Sequence, residues 1–361
     1  MALSASLYAQ SALENALELT RQKHYAEARL ALKGQPEPTD LNQRIAFHRL
    51  RAAIASGLGE PAAAVQEMHD ALALAPNDHK LLLATAVSEM QAGLLDDGLR
   101  HAESAGNTPM ARAIAGDIED KRGDYAAAAN AYQAAVSLAP DQESYRLALA
   151  TELIQHQSFA AAIELLKQSE HLFPRSAKIR TLLGIANYAN GFPDEAIAQF
   201  ENAVAIDQTF DSAYRCLTEL VLESSAPPKP KEVRLLCQWN SVACSAVQLR
   251  IAREKDDGAG ISKAIASLER ASNETGLASC ELARGYEWSH QLEAARRQME
   301  ACVHLQPTPQ NHYRLGMLYQ RLGLAAQARQ QMTLRNEAQA KMSEETAAGL
   351  NALQSFKLAV K

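Results

Sequence analysis

Small residues recur along this chain with a small partner twelve positions later, set among polar and bulky apolar positions. The first members are Ala16, Ala52, Ala86, Gly116, Ala150, Gly184, Thr218, Ala252, Ala283 and Gly316. Their partners are Ala28, Ala64, Gly98, Ala128, Ala162, Ala196, Pro230, Ala264, Ala295 and Ala328, and only Pro230 breaks the set. Successive first members lie 36, 34, 30, 34, 34, 34, 34, 31 and 33 residues apart. A small residue repeated in this way marks a close crossing of two helices, because a larger side chain would push the backbones apart. Four positions after each partner a bulky apolar residue fills the space between the helices: Leu32, Met68, Tyr132, Leu166, Phe200, Leu268, Met299 and Met332. Ala102 and Arg234 stand there in the third and seventh units, which are therefore irregular.

The unit Pro109 to Gln142 shows the grammar of one repeat. Ala111 to Lys121 is helical in pattern, Gly123 breaks it, and Tyr125 to Leu138 forms a second helix. Pro140 stops that helix and Asp141 can cap the next. The following units repeat the scheme, with Phe159 opening a helix that ends before Pro174 and Gly191 separating the next pair. The chain therefore reads as an array of helix pairs, whose function is recognition by an extended surface.

The segments LLGIANYANGFPDEAIAQFENAVAID (Leu182 to Asp207) and GDYAAAANAYQAAVSLAPD (Gly123 to Asp141) resemble tetratricopeptide repeats. So do SCELARGYEWSHQLEAARRQMEACVHLQP and YRLGMLYQRLGLAAQAR further on. The family pattern is a small residue in the first helix, Gly between the helices, then Ala, a bulky apolar residue, Ala and Pro. The resemblance covers nearly the whole chain. It implies an all-α fold, a right-handed α-solenoid or superhelix of about ten antiparallel helix pairs. It also implies that the first helix of each pair lines a concave face that holds peptides or partner segments.

Departures from the pattern divide the array. Residues 1–223 form an N-terminal set of repeats. Residues 224–257 are an irregular repeat whose segment Ser224 to Lys231, SSAPPKPK, falls at the inter-helix turn. Its prolines do not fit inside a helix. The spacing from Thr218 to Ala252 is still 34, so the array continues through a long loop and a shortened second helix, or hinges there. Residues 258–342 form C-terminal repeats, and 343–361 a capping helix with Leu350, Leu353 and Phe356 on one side.

Composition narrows the partners. The formal net charge is −6 and no Lys/Arg cluster exceeds two residues, Arg296 and Arg297 being the densest. A nucleic-acid solenoid would carry a basic stripe. The apolar runs, such as that at Leu81 to Leu83, are far short of the ~20 residues a membrane span needs. Met1 to Gln10 reads as the start of an amphipathic helix containing Leu3, Leu7, Leu13 and Leu17. Its alternative is the end of a signal peptide cleaved near Tyr8-Ala9. The first reading goes with a cytoplasmic protein, the second with a periplasmic or secreted one.

Five cysteines, Cys216, Cys237, Cys244, Cys280 and Cys302, fit free, mostly buried thiols in a reducing compartment. Cys237 and Cys244 are the pair of interest. On one continuous helix seven residues span about 10.5 Å, too far for a disulfide. A turn at Gln238 to Ser241 would let them close. No phosphate loop, HExxH, CxxC or GxSxG is present, so no cofactor, metal ligand set or catalytic residue is expected. Cys280, His290, Cys302, His304 and His312 lack the paired spacing of a zinc site. Trp239 fits a packing gap in the irregular region, and Trp288 fits either a core position or a groove anchor.

Positions one and four after each first-helix small residue, and three before it, lie beside the packed face. They include Arg49, Thr151, Thr181, Arg253, Asp256, Arg284, Glu287, Tyr313 and Gln320. Leu147, Thr151, Thr181 and Ile185 occupy the places of the Lys and Asn clamp with which chaperone-binding relatives hold a C-terminal carboxylate. That clamp is absent. The candidate groove residues are Asp117, Asp120, Lys178, Tyr188, Arg215 and Glu219, offering both charges and one aromatic anchor. The expected function is a non-enzymatic scaffold binding a protein or peptide partner. Its rivals are an exported accessory subunit of an envelope or enzyme assembly, and an enzyme with a site near residues 224–257.

Overall fold

The computed structural model describes residues 2–271, 275–353, 356 and 358; within the helices the side chains of 2–11, 345 and 348–352 stand outside that description. Among the described residues there is helix and no strand. The first helices of the ten pairs are α1 (Ala2–Arg21), α3 (Leu41–Gly57), α5 (His79–Gln91), α7 (Pro109–Arg122), α9 (Glu143–Gln155), α11 (Ala177–Ala189), α13 (Asp211–Glu223), α15 (Ser241–Glu254), α17 (Gly276–Trp288) and α19 (Pro309–Arg321). Their partners are α2 (Tyr25–Leu32), α4 (Pro61–Leu74), α6 (Leu95–Ser104), α8 (Tyr125–Leu138), α10 (Phe159–Leu172), α12 (Pro193–Ile206), α14 (Pro230–Trp239), α16 (Gly258–Ala271), α18 (Leu292–Leu305) and α20 (Ala325–Leu353). Every first small residue falls in an odd-numbered helix and its partner in the next helix. This is an all-α helical solenoid built of consecutive packed pairs.

Local sequence sets the ends. Thr108 caps α7 by accepting from the Ala111 N–H at 3.2 Å, and Pro109 takes the first turn, where its missing N–H costs nothing. Gly123 closes α7 at φ +80°, a left-handed conformation that favours glycine. Asp124 then caps α8 through the Ala127 N–H at 3.0 Å.

The small residues are matched in size to what faces them. A Cβ on Gly116 would sit 2.7 Å from the Tyr132 ring, and one on Gly184 would sit 2.5 Å from the Phe200 ring. One on Gly316 would meet the Met332 Cε at 2.8 Å. Each bulky partner is the residue sixteen positions on. In the same frame Ala150 and the smaller Leu166 are both fully buried.

The chain divides into two compact units within α9, one ending at Glu152 and the other spanning Leu153–Gln354. In the first unit the third pair is irregular, as expected. Its second helix has ten residues, and Ala102 leaves room that Ile118 fills from α7, 3.3 Å from where a Gly98 Cβ would stand. Glu89, wholly buried, binds His69 at 2.7 Å and His101 at 2.7 Å. A buried carboxylate needs such partners.

In the second unit the seventh pair has a longer turn and a shortened, ten-residue α14. Pro230 is an exception to the expected exclusion of prolines from helix, because it opens α14 in the first turn. Arg250 donates from Nη2 to the Ser224 and Ala226 carbonyls at 2.7 and 2.6 Å, giving the turn backbone partners it otherwise lacks. Trp239 stacks on Tyr214 with centroids 5.0 Å apart, filling the gap left where Arg234 replaces a bulky residue.

Two expectations are corrected. The segment from 343 is no separate capping helix: α20 runs unbroken from Ala325 to Leu353, since no Gly or Pro interrupts it before Gly349. Leu353 is buried and Thr346 accepts from the Gln157 amide at 2.9 Å, while Leu350's side chain lies outside the described residues. The cysteines are also not all free. Cys237 pairs with Cys244, because α14 ends at Trp239 and the turn at Asn240 brings the Cα atoms to 4.2 Å. Cys280 pairs with Cys302 across α17 and α18, and Cys216 alone remains a thiol.

Candidate partner-binding cleft

The first helices of the second unit line a continuous cleft. One chamber, about 730 Å³, is walled by α13, α17 and α19 and by the end of α14. Leu222, Trp239, Val242 and Leu277 form an apolar shelf, and Arg215, Glu219, Glu281, Arg284 and Arg314 bring charge. A second chamber of about 510 Å³ shares Leu222, Glu223, Glu281, Arg284, Gln310 and Arg314 with it and adds Tyr188, Arg250, Arg253 and Trp288. A third, about 830 Å³, continues past Arg253, Arg284 and Trp288 to Glu287 and Arg321.

At the centre Glu281 is 2% exposed. It accepts from Arg284 and lies 3.9 Å from the Arg253 Nη1. Burial pushes its carboxyl up, against the pull of Arg284, Arg253, Arg314 and Arg250. Burial likewise pushes the Arg253 and Arg314 guanidinium groups down, helped by repulsion from Arg284. Glu219 is raised by burial and by Glu223, and Tyr188 by burial and by Glu223, to which its hydroxyl donates at 3.3 Å.

The expected groove residues separate. Tyr188, Arg215 and Glu219 line the cleft, Arg215 bound to Asp211 at 2.5 Å. Lys178 is exposed in the first turn of α11 and is absent from the cleft lining. Asp117 and Asp120 belong to the first unit. The Asp117 carboxylate accepts from the Tyr132 hydroxyl at 2.6 Å, and desolvation outweighs that bond to raise it. Glu152 is pushed up to about 8 by burial and by Asp120 and Asp117. Sequence reasoning missed Arg250, Glu281 and Arg314, and it left Trp288 undecided. Trp288 both packs against the core of α15–α17 and lines the cleft.

A metal-like constellation lies elsewhere. The His48, Glu67 and Asp70 ligand atoms fall within 4.8 Å of one another. Glu67 is already held by His48 at 2.8 Å and Arg51 at 2.7 Å, and Asp70 accepts from Gln66 at 3.0 Å. Arg51 meets the charge of Glu67, and the neutral Gln66 amide gives Asp70 a hydrogen-bond donor.

Residues 147–209 match the family model described as tetratricopeptide repeat. No curated protein matches the chain. Among solved structures, a tetratricopeptide repeat protein from Parabacteroides merdae aligns with 81% of this chain and 98% of its own, at 12% identity and TM-score 0.46. YrrB, described as a TPR protein with an unusual peptide-binding site, aligns with 52% of this chain and 95% of its own, at 15% identity and TM-score 0.37. MamA aligns with 45% of this chain and 92% of its own, at 20% identity and TM-score 0.38. The matched segment runs from within α9 to just past the end of α12, and the small-residue frame it contains recurs from Ala16 to Ala328.

Proposed function

We propose that this protein is a non-enzymatic scaffold that holds a peptide segment of a protein partner in the cleft of its second unit. The observation that carries this reading is the apolar shelf of Leu222, Trp239, Val242 and Leu277 set beside convergent charged groups. An apolar anchor site with a few polar groups to fix orientation is what a peptide side chain and its neighbours require. Tetratricopeptide repeat proteins generally work as scaffolds of this kind. Peptides selected on the full chain and carrying a photo-cross-linker test it. Labels should map to α13, α17 and α19; labels concentrated around Asp117 and Asp120 would move the binding surface to the first unit.

A second reading concerns the compartment. The two disulfides favour an exported protein over a cytoplasmic one, since such bonds persist in oxidising environments. Protein isolated from its host without reductant, denatured and alkylated, should then show one reactive thiol, Cys216. Five alkylated cysteines would return it to the cytoplasm.

A further inference from the structure

Arginines gather on three consecutive first helices at two positions of the repeat frame. Two residues before the small residue stand Arg250, Glu281 and Arg314; one residue after it stand Arg253 and Arg284. On a helix these positions are about 60° apart, so each helix offers both to the same wall. Most neighbouring charges are already engaged. Arg250 is spent on Glu254 at 2.7 Å and on the Ser224 and Ala226 carbonyls. Arg215 is bound to Asp211, and Glu223 accepts from Tyr188. Arg253, Arg284 and Arg314 line the chamber around the buried Glu281, with Glu223 acting on Arg314 and Glu287 on Arg253 from further off.

Arg253 and Arg284 share the buried Glu281 carboxylate in a partly dehydrated wall, and Arg314 stands beside them. The Arg284 and Arg253 side chains are 19% and 31% exposed. Each guanidinium carries five N–H donors, of which Glu281 uses few. Such groups hold planar oxyanions through paired, charge-assisted hydrogen bonds. Away from bulk water these bonds are worth more than a surface ion pair.

We propose that an Asp or Glu side chain of the bound peptide docks against Arg253, Arg284 and Arg314, with Glu281 beneath them as the positioning residue. The inference rests on the reading that the cleft holds a peptide, and it specifies which peptides. The apolar shelf begins beside Arg284 and Arg314, so the acidic residue is accompanied by an apolar or aromatic one.

The test selects random dodecapeptides on the full chain and measures the dominant sequence by calorimetry beside its Asp-to-Asn, Glu-to-Gln counterpart. Selected peptides should be enriched in Asp and Glu over the input. The neutral counterpart should bind about tenfold more weakly or worse. Arg314→Gln should erase most of that difference, and Arg314→Lys should restore part of it. Rising salt should weaken the acidic peptide alone. Equal binding of the acidic and neutral peptides overturns the inference while the cleft reading stands, and this comparison needs only the wild-type chain. Selection of no peptide above an empty surface overturns both. Inorganic phosphate binding as tightly as the peptide and displacing it would make this a small-oxyanion site, which also overturns the inference.

Discussion

Gly184→Leu is expected to cost about 3 kcal/mol of stability, at the upper end of overpacked cores. A Cβ alone would already stand 2.5 Å from the Phe200 ring. That ring cannot retreat, because Phe200 is 2% exposed and packs among Ala196, Ala203, Ala213 and Leu217. Phe200→Ala removes the ring and leaves a cavity at the same crossing, for a cost of about 4 kcal/mol. The two changes should partly cancel. Leucine side-chain volume supplied from α11 fills space vacated on α12, so the double variant should be more stable than the sum of the single losses by about 1–3 kcal/mol. Urea denaturation of the four proteins gives the coupling. Strict additivity would mean that Gly184 and Phe200 do not share a crossing, and the repeat frame would be misplaced.

Glu281→Ala is expected to be nearly as damaging, at about 3 kcal/mol. The lost carboxylate is the common counter-charge of Arg253 and Arg284, and Arg314 feels it at longer range. Removing one partner of a buried ion pair leaves the others repelling one another with little water to absorb the charge. Glu281→Gln keeps an acceptor for Arg284 but not the charge, so it should lie between the wild type and Glu281→Ala. Urea midpoints decide the order. If Glu281→Ala matches the wild type, the arginines are solvated well enough to need no carboxylate.

The fold was legible because packing leaves a periodic trace. A helix crossing close enough to demand glycine also demands that something large come toward it, and Gly116 with Tyr132 and Gly184 with Phe200 obey that rule. The interrupted seventh pair was legible for the opposite reason: prolines and Arg234 cannot serve that packing, and Trp239 on Tyr214 stands in. The cleft was only half legible. Arg253, Arg284 and Tyr188 fell on the faces considered, whereas Arg250, Glu281 and Arg314 sit two positions before the small residue, one step further round the helix. Which of several adjacent faces opens to a cavity depends on how successive pairs pack, and no single helix encodes that. The Cys280–Cys302 bond was hidden in the same way, since it joins facing positions of two helices across 22 residues. The Cys237–Cys244 bond hinged on one helix ending at Trp239.

Those two bonds matter to how the second unit would respond to a mechanical load. Each pair in a repeat array leans on its neighbours, so a pull along the chain peels helices away one after another. A covalent bridge removes the residues it encloses from the length that can be paid out. Cys280–Cys302 withholds about 75 Å of extended chain, nearly the whole ninth pair, and Cys237–Cys244 withholds about 25 Å across the junction of the seventh and eighth. Under tension the wall bearing Glu281 and Arg284 keeps its α17–α18 link after the neighbouring pairs have come apart.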